Sequence, residues 1–475
     1  MRSFIRSAAF LLLIPISNGF CEEPAHLDLG TFLKQVRQSH QGYLSSIKES
    51  EGAIERSEEG TLIYQFTLFT DGQHIDDRVP TASVLFQGDR TVVNSLSLGV
   101  SKQTSFGLQT RLSYNLTNTT LYDVSPLFVP QSSFYDTGPM LEVSMPLLRN
   151  GFGSTTRATE ESLDSQAKAT SFSARFNAKV TLSGAETLFW RLSTARQVSS
   201  VLKQSLDRAL QIRDLNANRQ KKELIDRVDL LQSEAALKSR ELDYQTALDD
   251  VRDAARSLNS ARGVDSDEVH EVLDAPPPEQ LMAFPIPKRA EKRDDVIAAE
   301  HSVKATSANV EIAREAQMAK LDLVGSVAVH GRQSGFSSSV TDSLTTQHPT
   351  LIVGFKFSAP LDPSTVSAVR GGYLKESQAA ELNYQRKLFE QENDWESLNR
   401  KLSEARRRLD VAHGLEDTQQ EKLAYERKRL KQGRSTTFQV LQFELDYLTS
   451  QLTRLRNQSD IFNILAQMKT FEGDL

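Results

Sequence analysis

Two hydrophobic rhythms divide this chain. The first is helical. Leu441, Leu445, Leu448, Leu452, Leu455 and Phe462 follow 4-3 spacing, with Ser459 as a polar gap. A second seam on the same stretch, Val440, Tyr447, Ile461 and Met468, falls on a seven-residue grid interrupted by Arg454. Earlier in the chain, Leu230, Leu237, Tyr244, Val251 and Leu258 also recur at sevens. Two apolar seams on one helix require neighbours on two sides, which a wall of helices supplies and a two-helix coil does not. An antiparallel bundle around one core is the other arrangement this periodicity allows. The second rhythm alternates apolar and polar residues, as in Asn94–Val100, Leu108–Leu116, Leu321–Val329 and Leu351–Phe357. Period two marks strands with one apolar face.

In chain order, the pattern predicts a helix over 31–58, marked by Phe32, Val36, Ile47 and Ile54. A strand follows at about 62–70, rich in aromatic and β-branched residues, and 71–92 reads as loop. A hairpin at about 93–117 turns near Ser105–Gly107, and a further strand covers about 139–147. Helices follow at about 155–216 and 223–262. Ala275-Pro-Pro-Pro278 and Phe284-Pro-Ile-Pro287 mark a linker over 264–292. Beyond it come a helix at 294–316, strands at about 320–330 and 350–358, and helices at about 365–431 and 436–471. The two halves are copies. Val228, Leu231, Gln232, Glu234 and Gly263 match Phe438, Leu441, Gln442, Glu444 and Gly473 at one constant offset. Pro146 matches Pro360, and Ser165-Gln-Ala167 matches Ser377-Gln-Ala379. The chain is therefore divided into a leader at 1–21, a first repeat at 22–263, the Pro-rich linker, and a second repeat at 293–475.

A helix over 365–431 would be about 100 Å long at 1.5 Å per residue, so it must pack along other rods. The strands are apolar on one face: Leu351, Val353, Phe355 and Phe357 oppose Ile352, Gly354 and Lys356. That pattern suits a lipid-facing barrel strand or a sheet over a soluble core. Open sheet edges cannot face lipid, and about eight strands make the smallest barrel. Two repeat strands per half cannot close alone, so a membrane reading forces oligomerisation.

The N-terminus reads as a secretory signal, with Arg2 and Arg6 before the apolar Ala8–Ile16 and small residues at Ser17, Gly19 and Cys21. Cys21 is the only cysteine, and is either removed with the leader or acylated. Neither case allows a disulfide framework or a thiolate metal site. A net charge of -6 gives no global drive toward nucleic acid. The eight histidines are scattered without ligand spacing, and no catalytic constellation is present, so no enzyme activity and no cofactor are expected. Gly151-Phe-Gly153-Ser154 lacks the lysine of a phosphate loop and instead suits a passage from strand to helix.

Three segments carry a resemblance: Tyr425 through Leu441, Pro146-Leu-Leu-Arg-Asn-Gly-Phe-Gly153, and Arg293-Asp-Asp-Val-Ile-Ala-Ala-Glu300. In this order, and duplicated, they resemble the TolC-like outer membrane factors over essentially the whole mature chain. The resemblance implies a mixed α+β membrane protein, with a long α-helical tunnel in the periplasm and a β-barrel closed only in a homotrimer. It implies a twelve-stranded barrel in the outer membrane of a Gram-negative cell. It also implies a passive exit duct for a tripartite efflux pump or a type I secretion system, energised through a periplasmic adaptor and an inner-membrane transporter. A structural coiled-coil envelope protein, or a periplasmic adaptor without channel activity, is the alternative. The cargo stays open, as does the place of the 93–117 hairpin, which either lengthens the barrel or forms extracellular loops.

By position, the periplasmic tips implied by the family are Leu215–Val228 and Leu430–Phe438. Aperture candidates are Asp229, Gln232, Gln439 and Gln442, a less acidic set than the family pattern. Asp229 also suits the positive end of a helix dipole. Arg213, Arg219, Lys431, Gly433 and Arg434 are adaptor-docking candidates, and cations near a helix C-terminus with a Gly stop give the plainer account. Pro146, Gly151, Gly153 and Pro360 are expected at strand-to-helix exits. Trp190 and Trp395 are expected to pack in corresponding helices.

Overall fold

The computed structural model describes residues 26–274, 276–345 and 347–473. The leader and Cys21 lie outside the described residues. The elements begin with β1 (His26–Leu27), α1 (Leu29–Ser39) and α2 (Gln41–Arg56). Next come β2 (Thr67–Asp77), the short α3 (Val84–Gln87), β3 (Arg90–Gln103), β4 (Gln109–Tyr122) and β5 (Ser133–Pro146). The long α4 (Ser154–Gln220) and α5 (Arg227–Ala261) follow, then β6 (Val272–Leu273) and α6 (Pro278–Met282). The second half holds α7 (Asp294–Ala316), β7 (Lys320–Val329), β8 (Gly331–Gln333), α8 (Phe336–Ser343) and β9 (Pro349–Ser358). It ends with α9 (Pro363–Lys431) and α10 (Thr437–Met468). No helix of the described residues is long and apolar enough to cross a membrane.

The chain forms two compact units, and neither is a sequence repeat. Of the described residues, one comprises 26–41, 182–286 and 401–467; the other comprises 42–181, 287–400 and 468–473. The first is helical. Its centre holds Phe32, Phe189, Leu192, Leu258, Leu281, Leu402, Leu409, Leu455 and Ile461, all but removed from solvent. Trp190 stacks on Phe462 at 3.8 Å between ring centroids, and Phe32 meets Phe189 at 5.7 Å. Parallel pairing of β1 with β6 joins the chain ahead of α1 to the linker.

The second unit carries the sheet. Its order is β2-β3-β4-β5-β7-β9, antiparallel throughout, with β8 pairing beside β7 on β5. The sheet is open, with β2 and β9 at its edges. The chain thus supplies six long strands where the resemblance implied four. The difference is the hairpin: β3 and β4, at 14 residues each, outrun the expected 93–117 and pair on both sides. Strict alternation gives each of them a face matched to both neighbours, so insertion into the sheet leaves no side chain on the wrong side.

The strand expected at about 62–70 is displaced. Ser57–Tyr64 forms a 3-10 turn, and the strand starts at Thr67. Tertiary contacts override β propensity there, because the Tyr64 hydroxyl donates to the Glu160 carboxylate at 2.6 Å and Gly60 lies against the Glu160 backbone. The strand then continues through Asp71–Asp77, a polar run that reads as loop. The single helix expected over 31–58 is broken at His40, whose amide closes α1 on the Val36 carbonyl. The helix α8 is a further addition. Ser339 and Ser343, buried, bond to the Gly331 carbonyl and to Tyr114 respectively, and a serine-rich run carries no apolar period to announce it.

Candidate functional site

The helical unit contains two inter-helix turns, between α4 and α5 and between α9 and α10. Each is built as a left-handed helix stop. In the second, Gly433 takes φ +75°, its amide donates to the Leu430 carbonyl at 3.0 Å, and Arg434 N–H reaches the Arg429 carbonyl at 2.9 Å. In the first, Glu223 occupies the equivalent seat at φ +57°, with Leu224 N–H on the Arg219 carbonyl at 3.0 Å. A glutamate in this conformation costs about 1 kcal/mol relative to glycine. Thr436 then caps α10 by accepting from Gln439 N–H at 3.2 Å.

Buried polar groups tie the two turns together. Asn216, fully buried, donates to the Asp229 carbonyl at 3.4 Å and accepts from the Thr437 hydroxyl at 3.2 Å. Arg219 donates at 2.7 Å to the Leu430 carbonyl at the end of α9, which also accepts the Gly433 amide. Glu426 is buried and accepts from Arg429 at 3.1 Å and from Ser435. Behind them, buried Glu444 accepts from Arg208 at 2.8 Å and from Arg427. Arg208 lies 5.3 Å from the Tyr447 ring centre. Burial, with the nearby Glu416 carboxylate, pushes the Tyr447 phenol above its usual range. Ile212, Leu423, Leu430, Val440 and Tyr447 form the apolar floor.

These contacts sort the candidate residues. Asp229 is partly buried in the first turn of α5, while Gln232, Gln439 and Gln442 are exposed. Gln442 donates to Asp446 at 3.1 Å, and Asp446 pairs with Lys422 at 3.2 Å. Gln439, Gln442 and Asp446 share one face of α10 by their spacing. Sequence reasoning stopped before Asp446, which its i, i+4 relation to Gln442 could have flagged. Of the basic residues, Arg213 pairs with Asp214 at 3.0 Å and Arg219 is engaged across the turns, whereas Lys431, Gly433 and Arg434 are exposed. Asn216, Arg208 and Glu426 were missed because their partners lie far away in sequence or in a turn without periodicity.

In the sheet-bearing unit, the exit from β5 is a run of left-handed residues: Asn150, Phe152 and Gly153. Pro146 is buried and ends the β5 ladder opposite Asp322. Asn150 accepts from Thr156 N–H at 3.0 Å, and its own N–H donates to Glu315 at 3.0 Å. Gly153 is required, since a Cβ there would lie 2.0 Å from the Ser105 carbonyl; Gly151 faces open space. On the second copy Pro360 is exposed beyond β9, and Asp362 starts α9 by accepting from Ser364 N–H at 3.0 Å. Trp395 packs on Phe471 at 5.3 Å. Among the described residues no group of three or more His, Cys, Asp or Glu is gathered as for a metal ion.

This architecture is similar to solved outer-membrane channels. The outer-membrane channel OprN superposes with a TM-score of 0.68 at 14% identity, covering 94% of this chain and 90% of that one. VceC of Vibrio cholerae gives 0.65 at 14% identity, over 93% and 95%. The CmeC outer membrane channel of Campylobacter jejuni gives 0.64 at 14%, over 97% and 93%. No curated protein matches the sequence. Residues 286–473 match the model of the outer membrane efflux protein family. That match spans less than half of the chain, and over the remainder the likeness to the solved channels is one of fold. The partial family match and the shared fold favour an outer membrane efflux channel over the coiled-coil envelope and adaptor readings.

Proposed function

We propose that three copies assemble into a passive exit duct that receives cargo from a periplasmic adaptor and an inner-membrane transporter, in an efflux pump or a type I secretion system. The observation that carries this reading is the open sheet with an apolar face. Leu68, Leu351, Val353, Phe355 and Phe357 are each more than 60% exposed in the single chain. An exposed apolar face of this extent needs lipid, and the free edges of β2 and β9 need strands from other copies.

The paired turns are the aperture in this reading. Asp229, Gln232, Gln439 and Gln442 narrow it, with Asp446 one turn further along α10. Its modest acidity predicts weak block by trivalent cations; strong block in planar bilayers, abolished by Asp229→Ala alone, would contradict that. The exposed Lys431 and Arg434, with Gly433 and with Arg213 and Arg219 on the companion turn, steer adaptor docking by charge. Cysteines replacing Arg219 and Arg434 should crosslink to the adaptor in cells. Crosslinks obtained only from mid-helix positions would sink the docking assignment.

A further inference from the structure

We infer that the membrane wall is a barrel of eighteen strands, six from each copy, rather than four from each. The inference rests on the trimeric reading above and commits the edges to a second copy of this chain: β2 of one copy pairs with β9 of the next. One chain cannot close its own sheet, because six strands are fewer than the roughly eight of the smallest barrels.

The registers put the hairpin in the wall. One row crosses all six strands through directly opposed residues: Leu68, Val100, Leu112, Leu141, Val327 and Leu351. All six are exposed apolar side chains, so β3 and β4 carry the lipid-facing band without a break. The next row in register is Thr67, Ser101, Arg111, Glu142, Ser326 and Ile352, mostly polar as a lumen requires. Cross-strand charge joins the hairpin to both flanks on that face. Arg111 of β4 pairs with Asp71 of β2 at 2.6 Å and with Glu142 of β5 at 3.7 Å, and it covers the Phe69 ring at 3.7 Å. Gly99 between them leaves the room, since a Cβ there would lie 2.5 Å from Phe69.

The hairpin also spans the full height of the sheet. Its turn packs at the strand-to-helix exit. Gly107, at φ +85°, lies against Pro146 and Gly153, and Arg157 of α4 donates to the Ser105 carbonyl at 3.1 Å. The chain therefore descends in β3 to the end where β5 becomes α4, turns tightly, and rises again in β4. Short turns at the periplasmic end and longer loops outside are the general pattern of outer-membrane barrels. An extracellular hairpin would not reach this exit.

Width follows from strand number. With strands about 4.8 Å apart and tilted about 40°, eighteen strands give a backbone diameter of about 36 Å, against about 24 Å for twelve. Three equivalent points on such walls lie about 31 Å apart for eighteen strands and about 21 Å apart for twelve. The test is electron paramagnetic resonance on the full chain in proteoliposomes, in a Cys21→Ser background. Nitroxides replacing Val327 on β7 point outward and sit roughly 6 Å beyond the backbone, so they should show a copy-to-copy distance of about 42 Å. Labels replacing Leu98 should be relaxed by oxygen, and labels replacing the adjacent Ser97 by a water-soluble nickel chelate. A distance of about 31 Å, as the same outward labels would give on a twelve-strand wall, would overturn the eighteen-strand wall while leaving the trimer intact. Loss of the alternation between positions 97 and 98 would remove the hairpin from the wall. No dipolar distance between copies would refute the trimeric reading and, with it, this barrel.

Discussion

Neutralising Glu444 tests whether the buried charges hold the two helical turns together. Its side chain is 9% exposed and sits between Arg208, at 14%, and Arg427, at 31%. Glu444→Gln keeps the shape and removes the charge. Removing one partner of a buried pair costs about 3–5 kcal/mol, because the other charge stays desolvated. Arg427 can turn toward water, and Arg208 keeps its contact with the Tyr447 ring, worth about 0.5–1 kcal/mol. Both effects place the loss at the low end, about 3 kcal/mol. If local opening exposes the α10 amides, that loss speeds their hydrogen exchange roughly 150-fold. The assay is exchange mass spectrometry on residues 440–450 in detergent. Replacing the pair together, Arg208→Met with Glu444→Leu, should return most of the protection, since apolar pairs substitute well for buried ion pairs. Exchange within threefold of the parent in Glu444→Gln would refute the reasoning.

Other variants test separate parts of the account. Glu223→Gly relieves the left-handed strain of the first turn and should stabilise it by about 1 kcal/mol, read as slower exchange over 219–226. Gly153→Ala places a Cβ against the Ser105 carbonyl; it should cost at least about 2 kcal/mol and lower the yield of heat-resistant oligomer on gels. Asp295 is half-buried, which alone would raise its pKa, but hydrogen bonds from Arg293 and Lys387 lower it below the usual carboxylate range. A depressed folded pKa adds stability that is complete above the unfolded value, about 3.9, and is lost as pH falls through the folded one. Melting temperature should therefore drop more steeply below about pH 4 in the parent than in Asp295→Asn, and equal slopes would exclude the pairing as the cause.

Much of this fold was legible because its elements obey simple periods. The sevens in Leu230–Leu258 and the 4-3 seam from Leu441 gave α5 and α10, and the alternation in Leu351–Phe357 gave β9 with its apolar face. The shared offset of Val228 and Phe438 gave the two turns. What the sequence hid was partnership. Arg208 and Glu444 are 236 residues apart, and nothing local links them. Asn216 reads as an ordinary polar residue at a helix end until Asp229 and Thr437 are brought to it. The constant offset does set Glu223 opposite Gly433, yet a glutamate does not advertise a left-handed seat. The hairpin strands were visible, but their neighbours were not, because alternation states which face is apolar and not what lies on either edge. The strand near residue 64 failed for the opposite reason: local propensity was strong, and contacts with Glu160 prevailed.

The central claim is that three copies make one channel in the outer membrane. Native mass spectrometry of protein extracted from isolated outer membranes tests it most directly. The account predicts an assembly of three identical chains. Monomers or dimers in that fraction, or recovery of the protein only from the soluble periplasm, would contradict it.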